Sequence, residues 1–226
     1  MKILLIAGFY TDPKVIKQNE YTNIIMFLKL LNFKVDVFNY NQNENLLDVY
    51  NRLKKIIKLT KYNILIAHSM GGALLMKYCN SHVMSSYNKI IFLMPLIIPV
   101  PSIKMITQIP FIEKIYVPKL ILVPNSKCYD TGNILNDTSF KFIPVKQIVQ
   151  TYNNLLLKNE DDVIRIINKL PNCYLFYASE EKFNMINTNI LKKIKKTIYV
   201  DGLHEAFNSI FNNTDFFNKF KKVLLN

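Results

Sequence analysis

The chain has 226 residues, half of them hydrophobic, with 29 basic and 16 acidic side chains and a formal net charge of +13. This length and apolar content exclude a disordered protein and supply a core that needs no disulfides or metals, and the five glycines exclude collagen-like material. Nearly all of the positive charge comes from lysine, whereas arginine is the residue that usually binds bases and phosphates, so we expect no nucleic-acid partner. We interpret the charge as a consequence of overall amino-acid composition. The alternative is that it supports peripheral contact with anionic membrane.

Apolar runs alternate with helical patterns along the chain. Strands are predicted at residues 3–9, 35–38, 64–67, 90–94, 173–178 and 197–200. Helices are predicted at residues 12–31, 46–59, 71–80, 161–169, 185–194 and 205–225. This alternation predicts a single α/β domain over residues 1–226, with a mostly parallel six-stranded sheet and helices on both faces. Residues 95–158 are rich in proline and have no clean period, which predicts a cap insertion at the carboxyl edge of the sheet.

The N-terminus and the cysteines indicate a cytoplasmic protein, with peripheral membrane association left open by the charge. The first apolar run ends after about eight residues, and Thr11, Asp12 and Pro13 follow it in place of a small-residue cleavage site. The three cysteines are odd in number and lack metal-ligand spacing, so we expect reduced thiols, no metal and no cofactor.

The strongest local signal for chemistry is the sequence ILIAHSMGG, which begins at Ile64. A buried strand runs into small-x-Ser-x-Gly and then into a helix, which is the context of a nucleophile elbow with Ser69 as the nucleophile. Ala67 stands where such elbows usually have their first glycine, whereas Gly71 keeps the second. The alternative is that Ser69 is an ordinary N-cap of the helix.

A serine nucleophile needs a base, and the chain has three histidines. His68 adjoins Ser69, but its strand position points it away, so we expect a structural or pocket-lining role. His82 lies past the end of the following helix and is expected to be exposed. His204 lies in the loop after the last strand, at the same edge as Ser69, and is the predicted base, with an exposed loop histidine as the alternative.

The loop after the fifth predicted strand offers the orienting acid, and two turns offer oxyanion donors. Either Glu180 or Glu181 would hold the imidazole in the required tautomer, unless both are solvated loop carboxylates. The backbone N–H of Met70 would be one oxyanion donor, and Gly8 permits a turn that would supply the second from Phe9.

The segments HSMGGALLMKYC, GFY, YASEEKF and GLHEAFN together resemble the α/β-hydrolase superfamily, and within it the monoacylglycerol lipase and lysophospholipase branch. The resemblance implies an α/β-hydrolase fold and a catalytic triad of Ser69, Glu181 and His204, with Phe9 and Met70 as oxyanion donors and Glu180 as the alternative acid. The sequence departs from the pattern in its glutamate for aspartate, its Ala-Gly for His-Gly at residues 7–8, and a minimal sheet without the two strands that commonly precede the first.

The resemblance implies a serine hydrolase that cleaves carboxylic esters through an acyl-enzyme on Ser69. Its substrates would be small-molecule esters or lipids, most of all monoacylglycerol or lysophospholipid. The apolar composition of the cap insertion suits an acyl-chain pocket, although ordinary core packing explains it equally well. Two alternatives remain: a thioesterase, peptidase or small-molecule esterase on the same fold, and a non-catalytic basic binding protein on a hydrolase scaffold.

Overall fold

One six-stranded parallel sheet forms the centre of the part of the chain that the computed structural model describes. The described residues are 1–8, 21–40, 44–96, 116–118, 142–155, 157, 159–181, 186–202, 206–207 and 214–226. The strands are β1 (Lys2–Ile6), β2 (Lys34–Phe38), β3 (Ile64–His68), β4 (Lys89–Leu93), β5 (Tyr116–Pro118), β6 (Phe142–Pro144), β7 (Cys173–Ala178) and β8 (Thr197–Val200). The sheet order is β2-β1-β3-β4-β7-β8, and every neighbouring pair is parallel, which confirms the predicted sheet.

Helices cover both faces of this sheet. They are α1 (Thr22–Leu30), α2 (Leu46–Leu59), α3 (Met70–Ser81), α4 (Val145–Asn154), α5 (Glu160–Lys169), α6 (Thr188–Lys193) and α7 (Thr214–Leu225). Three of them begin at an asparagine whose side chain accepts a hydrogen bond from the backbone N–H two residues later, a common N-cap; these asparagines are Asn45, Asn159 and Asn187. None of the described helices has the length and apolar content that crossing a membrane requires.

The core consists of two layers separated by the sheet. Alternate side chains of β3 point to opposite faces, so Ile64 and Ile66 belong to one layer while Leu65 and Ala67 belong to the other. The layer with Ile64 contains α1 and α7, whereas the layer with Leu65 contains α2, α3, α5 and α6. All four of these β3 side chains are fully buried, as expected for a central strand covered on both faces.

The segment predicted as a cap insertion contains regular structure that its composition does not reveal. Strands β5 and β6 form an antiparallel pair, and α4 begins directly after Pro144, at the end of β6. Two hydrogen bonds join α4 to the helices α2 and α3: the backbone N–H of Leu46 donates to Gln150 Oε1 (3.3 Å), and Lys77 Nζ donates to the Asn154 carbonyl (2.7 Å). Pro144 does not interrupt a helix here, because it stands directly before the first residue of α4.

Several predicted boundaries differ from those of the structure. Strand β1 ends at Ile6 and not at residue 9: residues 7–8 have no regular secondary structure, although the Ala7 N–H still donates to the Phe38 carbonyl of β2 (3.0 Å). The last helix begins at Thr214 and not at residue 205, since residues 206–207 form a turn. The predicted start of the first helix at residue 12 lies outside the described residues.

Candidate active site

Ser69 occupies a sharp turn between β3 and α3, at the carboxyl edge of the sheet. Its backbone angles are φ 51° and ψ −121°, which residues other than glycine rarely adopt. The serine is 6% exposed, so the turn is surrounded by protein that holds it in this conformation. A strained serine between a buried strand and a helix is the backbone geometry of a nucleophile elbow.

The alternative role of Ser69 as an ordinary N-cap is not what the structure shows. The Ser69 side chain makes no capping hydrogen bond to α3, whereas the Asn45 side chain caps α2 through the N–H of Leu47 at 2.9 Å. Backbone bonds hold the Ser69 turn instead: its carbonyl accepts from the N–H groups of Gly72 (2.9 Å) and Leu96 (2.8 Å). The hydroxyl is therefore not committed to the first turn of the helix.

The turn after β1 lies directly against Ser69. A Cβ atom placed on Gly8 would lie 3.1 Å from Ser69 Cβ and 3.0 Å from His68 Nδ1. Any other residue at this position would force these neighbours to shift, so glycine is the residue that fits here without displacement. The turn from which the sequence predicts the second oxyanion donor thus adjoins the candidate nucleophile, and Met70, the other predicted donor, follows Ser69 in the first turn of α3.

Two buried tyrosines that no sequence motif indicates bind this turn. The Gly8 N–H donates to Tyr21 Oη at 2.6 Å, and Tyr40 Oη donates to the Ala7 carbonyl at 3.3 Å. Each tyrosine is 2% exposed. Burial, and secondarily the charge of Glu44, raises the pKa of Tyr40 well above its usual value, so its phenol stays protonated and able to donate. Tyr40 follows β2 at the carboxyl edge of the sheet, a position that could have identified it.

His68 is buried in an aromatic cluster beside Ser69, the candidate nucleophile. Its Nδ1 lies 2.7 Å from Tyr21 Oη, and its ring packs edge-on against Phe207, with centroids 4.7 Å apart. Only 3% of the residue is exposed, in agreement with the predicted structural or pocket-lining role. His82 differs from expectation: it is half-buried and not fully exposed, because its ring stacks on Tyr78 at 4.1 Å.

The two candidate acids lie in different environments. Glu181 is 8% exposed, whereas Glu180 is exposed to solvent. The loops that follow β7 and β8 are joined by backbone bonds, from Ser179 N–H to the Val200 carbonyl (2.8 Å) and from Glu180 N–H to the Gly202 carbonyl (3.0 Å). Burial first, and then the nearby charge of Glu181, raises the pKa of Tyr177 to about 12.

His204 and Phe9, the predicted base and the second predicted oxyanion donor, lie outside the described residues. Phe207, three residues after His204, is fully buried and stacks on Tyr21 with ring centroids 5.4 Å apart. Phe207 is therefore packed against His68, the residue that precedes Ser69. The described residues contain no group of three or more histidine, cysteine or acidic side chains placed to hold a metal ion.

Comparisons with known proteins match the chain to solved structures and not to sequences. No model of a protein family matches the chain, and a comparison with curated proteins found no match. The fold is similar to a monoacylglycerol lipase from Paleococcus ferrophilus, at 13% identity over 99% of this chain and 91% of that one, with a TM-score of 0.64. It is also similar to a bromoperoxidase from Bacillus anthracis (13% identity, 100% and 92% covered, TM-score 0.65).

A third similar structure comes from work on carboxylesterases of Nitrososphaera gargenis, at 12% identity over 99% of this chain and 89% of that one, with a TM-score of 0.65. Identities this low report on fold alone. The chain has the α/β-hydrolase fold, as the sequence motifs predict.

Proposed function

We propose that the chain is a serine hydrolase that cleaves carboxylic esters, with monoacyl lipids such as monoacylglycerols and lysophospholipids as its preferred substrates. The observation that carries the proposal is the backbone of Ser69, held at φ 51° at the carboxyl end of β3 without a capping bond. Strained residues of this kind cluster at functional sites, and open parallel sheets bind ligands at this edge.

The reaction has two halves. In the first, Ser69 Oγ attacks the ester carbonyl carbon, His204 takes the hydroxyl proton, and Glu181 orients the imidazole and stabilises its charge. The N–H groups of Met70 and Phe9 bind the oxyanion, and His204 returns the proton to the departing alcohol as the acyl-enzyme forms. In the second half, water attacks the acyl-enzyme, releases the carboxylic acid and restores Ser69.

The preference for a monoacyl lipid is supported by the composition of the cap insertion, residues 95–158. This segment is rich in isoleucine, leucine, valine, phenylalanine and proline, the residue types that line acyl-chain pockets. One of the similar structures is itself a monoacylglycerol lipase. We expect the cap insertion to cover the acyl chain while Ser69 reaches the ester at its end.

The proposal includes a cytoplasmic location with peripheral contact to anionic membrane. Cys79 and Cys173 are buried free thiols, which suits a reducing compartment. The formal net charge of +13 would draw the protein to anionic lipid, where each lysine near the surface contributes about 1 kcal/mol. Flotation with phosphatidylserine vesicles at low and high salt tests the contact. Equal flotation with phosphatidylcholine vesicles contradicts it.

Labelling with a fluorophosphonate probe, followed by mapping of the modified residue, tests the catalytic proposal. We expect Ser69 to be labelled and Ser69→Ala to lose both labelling and esterase activity. Exchange of the exposed Ser86 for alanine provides the matched control and should change neither. A panel of monoacylglycerol, lysophospholipid, thioester and peptide substrates then defines the class. Absence of labelling in the wild type, or full esterase activity in Ser69→Ala, would overturn the proposal.

A further inference from the structure

We propose that Tyr21 and Tyr40 are positioning residues that together hold the peptide bond between Ala7 and Gly8, and that this clamp sets the oxyanion-binding turn against Ser69. The inference rests on the proposed function, since an oxyanion site has meaning only for an acyl-transfer enzyme. It adds two residues that no sequence motif of the chain includes.

The geometry of the clamp follows from which groups the two tyrosines bind. The carbonyl of Ala7 and the N–H of Gly8 belong to one and the same planar peptide unit. Tyr40 Oη donates to that carbonyl at 3.3 Å, and Tyr21 Oη accepts from that N–H at 2.6 Å. The unit is thus held at both ends by side chains from different parts of the fold, Tyr40 after β2 and Tyr21 immediately before α1.

His68 completes the clamp on the Tyr21 side. Because Tyr21 Oη accepts from the Gly8 N–H, its own hydrogen can go to His68 Nδ1, 2.7 Å away, and the imidazole then carries its proton on Nε2. The Phe207 ring stacks on Tyr21 and packs edge-on against His68, with centroids 5.4 Å and 4.7 Å apart, which restricts both side chains. The residue before the candidate nucleophile is thereby tied to the turn that faces it.

The clamp matters at this turn because a glycine by itself does not restrict its φ and ψ angles to one conformation. Gly8 has access to more backbone conformations than any other residue type, and a Cβ at this position would crowd Ser69 Cβ at 3.1 Å. The Gly8 N–H is already bound to Tyr21, which leaves the sequence-predicted donor, the N–H of Phe9, as the one that this inference uses. Orienting the Ala7–Gly8 peptide limits where that donor can point, and oxyanion donors act only when they are preorganised.

The test compares Tyr21→Phe and Tyr40→Phe with Tyr199→Phe, a control on the exposed part of β8. Each exchange removes one oxygen and keeps the ring. With a short p-nitrophenyl ester, we expect the two clamp variants to lose about tenfold or more in kcat while KM stays within about twofold, because the oxyanion forms only in the transition state. Affinity for a boronic acid, which forms a tetrahedral adduct on serine, should fall by a similar factor. Tyr199→Phe should match wild type in all three measurements.

Folding is followed by circular dichroism melts, and rates are normalised to the folded fraction. If one tyrosine variant does not fold, the other tyrosine variant and two His68 variants test the clamp. His68→Asn keeps a hydrogen-bond acceptor close to the position of Nδ1, whereas His68→Leu does not. We therefore expect His68→Leu to lose at least about fivefold more kcat than His68→Asn. A wild-type protein without labelling or esterase activity overturns the proposed function itself. The clamp is overturned if the wild type is active but the clamp variants keep a kcat within about twofold of that of Tyr199→Phe. It is also overturned if only their KM changes. Either result leaves the proposed function standing.

Discussion

Gly71, in the first turn of α3, lies against the carbonyl oxygen of Ala7 at the end of β1. A Cβ atom on Gly71 would lie 2.5 Å from that oxygen and 2.5 Å from the carbonyl oxygen of Ile6. Both oxygens belong to the backbone of fully buried residues, Ile6 at the end of β1 and Ala7 directly after it, and have little freedom to move. The helix after Ser69 therefore reaches the sheet only because glycine stands at this position.

We expect Gly71→Ala to destabilise the protein by at least about 2 kcal/mol, because it crowds a packed core. The sign is informative, since alanine in place of glycine usually stabilises a helix by about 1 kcal/mol. The displaced turn should also lower esterase activity. Urea denaturation gives the free energy of unfolding, and hydrolysis of a p-nitrophenyl ester gives the rate.

Asn80→Ala is the matched control, because Asn80 is exposed near the other end of the same helix and has no crowded neighbour to displace. It should leave stability unchanged or raise it slightly. If Gly71→Ala has the same free energy of unfolding as Asn80→Ala, then α3 can move away from β1 without destabilising the protein.

Much of this fold was predictable from hydrophobic pattern alone. Strands β7 and β8 and helix α2 match their predicted bounds, because continuous apolar runs and a clean helical period both mark buried elements. The turn at Ser69 was predictable for a different reason: small residues beside a serine between a strand and a helix leave few other conformations. Helix α4 was not predictable in this way, because it follows a run of prolines and short strands.

The tyrosine clamp was not predictable, because long-range hydrogen bonds leave no periodic signal. Tyr21 and Gly8 are 13 residues apart, and Tyr40 and Ala7 are 33 apart. Only the topology brings them to one edge of the sheet, where β1 and β2 end side by side. The burial of Glu181 beside an exposed Glu180 likewise depends on how their loop packs, which their adjacent positions in the sequence do not reveal.

The difference in burial between the two glutamates predicts different roles. We expect Glu181→Gln to lower kcat at least about 100-fold, because an amide would favour the wrong imidazole tautomer and leave the imidazolium without a counter-charge. Glu180→Gln should stay within about twofold of wild type, because its side chain is exposed. Steady-state kinetics on one ester substrate compares them. Equal losses in the two variants would show that the acid comes from elsewhere in the chain.

The strained backbone of Ser69 should affect the free energy of unfolding, independently of any catalytic role. Ser69→Ala and Ser69→Gly both remove the nucleophile, so both should lose activity. Glycine adopts φ 51° freely whereas alanine does not, so we expect Ser69→Gly to be more stable than Ser69→Ala by about 1 kcal/mol. Urea denaturation of both variants measures the difference.

The same pair of exchanges at Asn80, an ordinary helical position, should give the opposite order, with glycine less stable than alanine by about 1 kcal/mol. Identical orders at the two positions would contradict the strain at Ser69. Because neither Ser69 variant has the hydroxyl, the comparison is independent of whether the site is catalytic.

Ionisation of Tyr62 should lower the free energy of unfolding at alkaline pH. Burial, followed by its hydrogen bond to Asp36 Oδ2 at 2.9 Å, raises the pKa of the Tyr62 phenol to about 12, against an ordinary value of 10.0. A pKa that is higher in the folded state than in the unfolded state stabilises the fold fully below pH 10, and this contribution is lost as the pH rises toward 12. We therefore expect the free energy of unfolding of Tyr62→Phe to decline less steeply than that of wild type in this window, by at most about 1.4 kcal/mol per pH unit.

Asp36→Asn separates the two causes of the Tyr62 shift. It retains the burial of the phenol but removes the charged acceptor, so its slope should fall between those of wild type and Tyr62→Phe. Loss of the Lys2–Asp36 ion pair, which joins Nζ and Oδ2 at 2.8 Å between partly exposed side chains, lowers the whole curve without changing that order. Urea denaturation at half-unit steps of pH measures the slopes. Parallel curves for wild type and Tyr62→Phe would show that the phenol titrates alike in the folded and unfolded chains, which contradicts its burial against Asp36.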